Sequence, residues 1–509
     1  MNVIKTTQSL CPQCLRILPA TIFERDNKVW ITKKCPEHGE FEEIYWGDYD
    51  MYKKAVKFAH DGKGIDNPNI EELKPCPQDC GLCKMHKSHT ALGNIVVTNR
   101  CDLQCFYCFF YAKAMGYVYE PTLEEIRKML KLMRDERPVP CNAIQLTGGE
   151  PTMRNDIIDI IKMAKEEGYD HVQLNTNGIR LSKDPEFAKK VREAGVNTIY
   201  LSFDGTTAQT NPKNHYEIPG ILENSRKAGL GIVLVPTVIN TVNDGDVGNI
   251  LNFGIKNIDV VRGINYQPVS LVGRITKADR EKFRITIPDV IKKIEEQTNG
   301  AVVKDDWYPV PTVSPITHFV EALLKKPQYE LTAHPACGMA TYLFLDGDKI
   351  VPLPRFVDVN GFMEYLTEKS GELEKGTNRV FVSMKVLNDL GRFIDKDKQP
   401  KGLNLKSILF NALVKHDYNS LGVLHHKSLF VGMMHFQDLY NYDIERVKRC
   451  CIHYAQPDGR IVPFCAFNVI PQWYRDEIQE KFSLPIAEWE KKTGKKLEDD
   501  FYKRGTVKE

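Results

Sequence analysis

No run of eighteen apolar residues occurs anywhere in the 509-residue chain, so no segment is long enough to cross a bilayer as a helix. Neither sign of charge dominates: 69 Lys and Arg stand against 67 Asp and Glu, a formal net charge of +2. A surface built for nucleic acid or polyphosphate needs basic excess, and this balance argues against one. With 42% hydrophobic and 27% charged residues, whole-chain disorder is excluded too. The first residues, MNVIKTTQSLCPQC, lack the apolar core of an export signal, which predicts an intracellular protein. At about 150 residues per domain the length predicts roughly three domains.

What the chain does have is cysteine, 14 in all. Without an export signal a disulfide framework is not expected, and thiols at x2 and x3 spacings point to metal. Residues 1–60 read as a small module. Cys11-x2-Cys14 and Cys35-x2-His38 flank two strand-like runs, 20–25 and 29–33, around the turn Asp26-Asn27. Three thiolates and one imidazole suit one tetrahedral Zn2+ or one iron. Residues 61–92 form a connector carrying Cys76-x3-Cys80-x2-Cys83.

From 93 to 270 strand-like and helical runs alternate. Strands are predicted at 94–98, 143–146, 171–174, 198–201, 231–235 and 259–264. Helical stripes fall at Leu123, Ile126, Leu130 and Met133, and at Ile157, Ile158, Ile161 and Ala164. Six such units predict an α/β fold with a partial (β/α)6 barrel, its chemistry on loops at the C-terminal strand ends. Residues 271–509 read as a mixed α+β domain. Two cysteine-bearing hairpins echo each other there, 337–352 and 451–465, each through Asp-Gly and Ile-Val-Pro.

Directly after the first barrel strand comes Cys101-Asp-Leu-Gln-Cys105-Phe-Tyr-Cys108. Three thiolates can hold three irons of a [4Fe–4S] cluster and leave the fourth open. The segment resembles the radical S-adenosylmethionine (SAM) enzymes, with Tyr107 in the aromatic place. The second strand ends in Leu-Thr-Gly148-Gly149-Glu150-Pro151, a second family feature. The resemblance implies that these glycines let backbone approach the SAM amine. It also implies that Asn175, Asn177, Ser202 and Asp204 meet the carboxylate or ribose, and that Val235, Pro236 and Thr237 flank the adenine. Each polar residue among them reads equally as a turn or helix cap. Cys76-Cys80-Cys83 shares the spacing but lacks the preceding strand and the aromatic, so it is read as an auxiliary cluster. Cys141, at the same rim of the barrel, is its expected fourth ligand, with His86 or His89 as alternatives. Cys337, Cys450, Cys451 and Cys465 remain for a second auxiliary cluster, in which adjacent Cys450 and Cys451 leave room for one bystander.

The order of ribbon, CPxxCGLC, CDLQCFYCFF and late cysteines resembles the archaeal tetraether lipid synthases over nearly the whole chain. That resemblance implies an enzyme joining terminal methyl carbons of two isoprenoid chains, with the first alkyl radical trapped on an auxiliary-cluster sulfide. It implies three [4Fe–4S] clusters, SAM, a mononuclear iron in place of zinc in the ribbon, a low-potential electron donor and a lipid substrate. It fits a cytoplasmic protein compatible with peripheral contact at the inner membrane face. Pterin methyltransferases are the alternative, and a multi-cluster electron carrier without catalysis the remote one. An unactivated C–H has no acidic proton, so no acid–base side chain is assigned. Apolar segments after residue 366, read as helices apolar on more than one face, are expected to line the lipid path: Leu403, Leu405, Ile408, Leu409, Phe410 and Leu413, then Val423, Leu424, Leu429, Phe430, Val431, Met433 and Met434.

Overall fold

The structure, a computed structural model, describes residues 2–71, 73–108, 110, 112–272, 277–413 and 427–504. β1 (Asn2–Leu10), β2 (Ile17–Arg25), β3 (Lys28–Cys35) and β4 (Gly39–Trp46) form an antiparallel sheet in sequential order. Asp26 and Asn27 make the predicted two-residue turn, both at positive φ, 55° and 54°. This sheet is fastened to the C-terminal region by Asp443, which accepts from Thr7 Oγ1 at 2.7 Å and Tyr45 OH at 2.8 Å.

The six predicted parallel strands follow: β5 (Leu92–Thr98), β6 (Ala143–Gly148), β7 (His171–Thr176), β8 (Thr198–Ser202), β9 (Gly231–Val235) and β10 (Val261–Pro268), paired in that order. Ile144, Leu146, Val172 and Leu174 pack in the main core. On the opposite face, Gln173 Nε2 donates to Gln145 Oε1 at 2.5 Å and Gln145 Nε2 to Asn94 Oδ1 at 2.9 Å. Alternation in the strands thus produces a polar ladder without leaving buried amides unpaired. Helix Leu123–Arg134 starts at a capping box, Thr122 with Glu125, and buries Ile126, Met129, Leu130 and Met133. Leu123 leaves the predicted stripe; it sits in the first turn, 37% exposed.

The C-terminal third extends this sheet at both edges. It adds the hairpin β11 (Gly338–Asp346) and β12 (Lys349–Pro352), then β13 (Ser428–Met434), then the hairpin β14 (Ile452–Ala455) and β15 (Ile461–Pro463). β13 lies parallel to β10, and β14 parallel to β5. The two echoing segments are therefore both hairpins, at opposite ends of one sheet. The second closes through residues 456–460, with Gln456 N donating to Arg460 O at 2.8 Å, so its Asp-Gly does not make a two-residue turn.

Of the residues expected to line a lipid path, six are core. Leu403, Leu405 and Ile408 are buried with Phe344 and Phe356, and Leu409 and Phe410 pack half-buried beside the helices. Residues 428–434 are strand, not helix, placing Leu429, Val431 and Met433 in the main core and leaving Phe430 and Met434 half-buried. The side chain of Leu413, and Val423 and Leu424, lie outside the described residues. Among the described residues no helix is long and apolar enough to cross a membrane.

Glu136, just beyond helix Leu123–Arg134, is buried and accepts from Thr90 N at 3.1 Å and Thr90 Oγ1 at 2.5 Å. Burial pushes its carboxyl up from 4.5 to about 7, against the pull of both Thr90 hydrogen bonds. A raised acid favours the folded state while protonated. That contribution is complete below about pH 4.5 and is lost as pH rises through about 7. Wild type should therefore lose stability on the order of 3 kcal/mol from this group across that window. Glu136→Gln should flatten the profile, read by anaerobic denaturant titration at pH 5 and pH 8. Parallel profiles for both proteins would refute the assignment.

Candidate functional site

In the ribbon, the Sγ atoms of Cys11, Cys14 and Cys35 and a ring nitrogen of His38 all lie within 4.8 Å of one another. His38 Nδ1 stands 3.6 Å from Cys11 Sγ and 3.4 Å from Cys35 Sγ, and Cys14 Sγ 3.9 Å from Cys35 Sγ. Leu15, at φ 59°, and Gly39, at φ 79°, turn the chain back after each knuckle. Burial pushes the Cys35 thiol up, but hydrogen bonds from the Glu37 and His38 amides and the His38 ring outweigh it and bring it down to about 6. Such a set fits one tetrahedral ion, zinc or iron.

The loop 101–108 leaves the C-terminal end of β5. Burial pushes the Cys108 thiol up to about 11, and raises those of Cys101 and Cys105. Three thiols gathered in a site that disfavours their bare anions suit an iron cluster, whose positive charge offsets that burial. Tyr107 OH donates to Asp204 Oδ2 at 2.5 Å. Lys213, which sequence reasoning missed, reaches the same point: its Nζ lies 2.7 Å from Asp204 Oδ2, 2.9 Å from Tyr107 OH and 2.5 Å from Ser202 Oγ. Its charge also acts on Cys105 and Cys108. No local motif marks Lys213, because only the loop after β8 carries it to the cluster.

The Gly148-Gly149-Glu150-Pro151 turn is welded to the end of β5. Gly149 N donates to Thr98 O at 2.8 Å and Glu150 N to Arg100 O at 2.7 Å. A Cβ on Gly148 would meet Thr98 O at 1.9 Å, and one on Gly149 would meet Arg100 O at 2.2 Å. The glycines are thus required by chain packing, whatever binds above them. Glu150 is buried. Its Oε1 accepts from Thr152 Oγ1 at 2.6 Å and Thr176 Oγ1 at 2.7 Å, and its Oε2 from Asn177 N at 2.7 Å. Pro151 opens a one-turn helix that Glu150 caps. Asn177 Nδ2 donates to Asp102 Oδ1 at 2.6 Å, while its Oδ1 accepts from Ile179 N at 3.0 Å. Asn175 Nδ2 bonds Thr147 Oγ1 at 3.0 Å. Thr237 N donates to Asp204 Oδ1 at 3.0 Å, and Val235 pairs with Ser202. Several predicted contacts therefore brace one another at the strand ends.

Lys213→Met should be severe, because it strands a buried Asp204 carboxylate, at a cost of about 3 kcal/mol. SAM binding, read by calorimetry, should weaken about 100-fold. The double variant with Asp204→Asn should recover thermal stability and not SAM affinity. Wild-type affinity in either protein would refute the placement.

Cys141, the expected fourth ligand of the connector thiols, packs in a different part of the core from Cys76 and Cys80. Cys141 is fully buried in the main core, its Sγ donating to Ala143 O at 3.2 Å. Burial raises its thiol, with Glu136 acting the same way and Arg134 against it. Its Sγ lies against Gly93, beside Met133 and Ile144, whereas Cys76 and Cys80 pack with Tyr442 and Tyr474 in a separate apolar group. His86 is turned to Cys450 O at 2.7 Å, and His89 Nε2 accepts from Glu330 N at 3.1 Å. Cys450 instead lies within electrostatic reach of Cys80, and also of Cys465, Cys451 and Cys337. A cavity of about 180 Å³ separates Cys108 from Cys465, walled by Phe110, Gln267, Phe464 and Asn468. Phe464 stacks on Phe436 at 4.0 Å, and Tyr454 on Phe467 at 4.1 Å.

Residues 95–254 match the radical SAM superfamily, and residues 3–47 the HMPTM N-terminal zinc ribbon domain. The superfamily match implies SAM and a [4Fe–4S] cluster. Over 497 residues, 96% of this chain and 97% of the relative, the sequence is 48% identical to the 7,8-dihydro-6-hydroxymethylpterin dimethyltransferase of Methanocaldococcus jannaschii. Over 205 residues it is 30% identical to the GTP 3′,8-cyclase of Clostridium acetobutylicum, covering 39% of this chain and 61% of that one. Methylornithine synthase overlaps 42% of this chain and 64% of its own, at 17% identity and a TM-score of 0.32. The full-length relative overturns the expectation of isoprenoid-chain coupling and of a lipid substrate, since it bears the name of a pterin methyltransferase. The packing agrees for Leu403, Leu405, Ile408, Leu429, Val431 and Met433, which are core. Full-length identity of this order places the chain in the radical SAM family of that Methanocaldococcus jannaschii methyltransferase.

Proposed function

We infer that this chain is a radical SAM methyltransferase acting on a reduced pterin of the 6-hydroxymethyl-7,8-dihydropterin type. The observation that carries the reading is 48% identity along 96% of the chain to a protein of that name. The cavity between Cys108 and Cys465 supports it. Aromatic faces at Phe110 and Phe464 and amides at Gln267 and Asn468 suit a flat heterocycle with hydrogen-bonding edges. SAM, bound at the open iron, would supply the radical that takes hydrogen from a C–H bond no side-chain base can ionise. Tyr107, Ser202, Asp204 and Lys213 orient what binds there, and the aromatic walls keep water out. Three clusters are part of the reading. Cys101, Cys105 and Cys108 hold the first. Cys76, Cys80 and Cys83 hold the second, with Cys450 in place of Cys141. Cys337, Cys451 and Cys465 hold the third.

Fully loaded protein should carry about twelve irons beyond the ribbon ion. Anaerobic incubation with SAM, dithionite and the dihydropterin should yield 5′-deoxyadenosine and a pterin heavier by one and then two methylene units. SAM labelled in its methyl group tells whether SAM is also the methyl source. Formation of 5′-deoxyadenosine that the pterin neither stimulates nor accompanies with a mass gain would refute the substrate.

A further inference from the structure

Arg446 is buried at 2% exposure on the short helix Ile444–Lys448, yet it makes no ion pair with a carboxylate among the described residues. The contrast with its neighbours is plain. Arg284 pairs with buried Asp438, Nη1 to Oδ2 at 2.5 Å. Asp443, three residues before Arg446, is taken up by Lys5, Thr7 and Tyr45. Arg446 Nη2 donates to His435 O at 2.6 Å, and its Nε to Cys337 Sγ at 3.3 Å. Its Nη1 is buried with no acceptor. Burial works against the guanidinium charge, and Cys337, Tyr45 and Cys465 would outweigh it only as anions.

A buried cation needs a counter-charge, and a neutral thiol is a weak acceptor that supplies none. The groups in reach that can become anions in numbers are the thiols of Cys337 and Cys465. Cysteine thiolates bound to iron meet the requirement, because ligation removes their protons. Adding one electron to such a cluster adds one negative charge. A fixed cation hydrogen-bonded to a ligand sulfur stabilises that reduced state more than the oxidised one, most of all in low-dielectric surroundings. The surroundings here are Tyr442, Tyr454, Phe464 and Phe467. Removing the cation must then make reduction harder.

We propose that Arg446 is a positioning residue whose charge sets the reduction potential of the cluster held by Cys337, Cys451 and Cys465, keeping it reducible inside an aromatic wall. The unpaired Nη1 is the donor left over for that cluster. The proposal rests on reading these three cysteines as cluster ligands.

The test is an anaerobic dithionite titration, followed by electron paramagnetic resonance, of full-length reconstituted wild type, Arg446→Met and Arg446→Lys. The cluster whose signal responds to SAM serves as the internal control. Arg446→Met should change the reduced-to-oxidised ratio of one other cluster at least tenfold at a fixed potential, a fall of 59 mV or more for one electron. Arg446→Lys, which keeps the charge, should stay close to wild type. If the Met variant loses about four irons and the Lys variant keeps them, the charge is needed even to assemble the cluster, and the proposal holds. Loss in both variants shows that shape and not charge matters, and overturns it. Full iron with an unchanged midpoint in Arg446→Met also overturns it, while leaving the cluster ligands intact. Wild type that holds iron for the SAM-responsive cluster alone defeats the ligand reading itself, and the proposal falls with it.

Discussion

Cys105→Ala should lose about four irons and all 5′-deoxyadenosine formation, and should lose them without unfolding. Each of the three thiolates holds one iron, so two cannot retain a cube that must also bind SAM at its fourth corner. The surrounding scaffold does not depend on the thiol. Cys108 N donates to the backbone carbonyl of residue 105 at 3.0 Å, which an alanine keeps. The Tyr107–Asp204–Lys213 contacts keep their partners too. The variant should therefore elute as a folded chain and retain its ribbon metal and the other clusters. Iron analysis and chromatography of the reaction mixture read both halves. Turnover of SAM by the alanine variant would place the SAM cluster elsewhere, with Cys76, Cys80 and Cys83 the next set to consider.

Gly149→Ala should cut SAM cleavage about 100-fold at sub-saturating SAM while leaving the iron in place, provided the turn shifts at a cost near 3 kcal/mol. Gly149 does not need an unusual backbone angle; its constraint is space. A methyl group there would stand 2.2 Å from Arg100 O, 2.7 Å from Arg100 C and 2.8 Å from Asn99 O. All three are backbone atoms, so no side chain can rotate aside. Arg100 is itself fixed, with Nε 2.7 Å from Asp500 Oδ2 and Nη1 3.0 Å from Glu120 Oε1. The turn must move instead, breaking the Glu150 N to Arg100 O bond and tilting Glu150 and Asn177. Gly371→Ala is the matched control, since nothing lies within 4 Å of its added Cβ and it sits in a helix. It should leave cleavage unchanged and stabilise the helix by about 0.5–1 kcal/mol. Equal cleavage in the two alanine variants would show that the turn tolerates the shift.

Where ligands are close in sequence, the chain could be read directly. Cys11, Cys14, Cys35 and His38 sit on two local knuckles of one small sheet, so spacing alone brought the four together. The loop 101–108 is the same kind of case, a single segment between a strand and a helix. The six barrel strands were legible because each is a short, largely apolar run set off by an intervening helical stretch. Cys141 shows where this stops. Being at the right rim does not fix the direction of a side chain, and the segment leading into the second barrel strand buries that thiol in the core. The apolar run 428–434 failed for a related reason: a short buried segment looks alike as helix or strand, and its pairing with β10 and β11 decided the matter.

By itself, then, the sequence determined the chemistry at hand: a metal knuckle pair, a three-thiolate loop after a strand, and a glycine turn one strand later. Each is a local pattern whose spacing is the physical requirement. Tertiary structure decided everything that depends on groups far apart in the chain. It set Lys213 beside Tyr107 and Asp204, and Cys450 within reach of both Cys80 and Cys465. It left Arg446 with Cys337, more than a hundred positions away, as a hydrogen-bonding partner. Charges in a low-dielectric interior act over distance and are satisfied by whatever the fold brings near, so no spacing in the sequence records them.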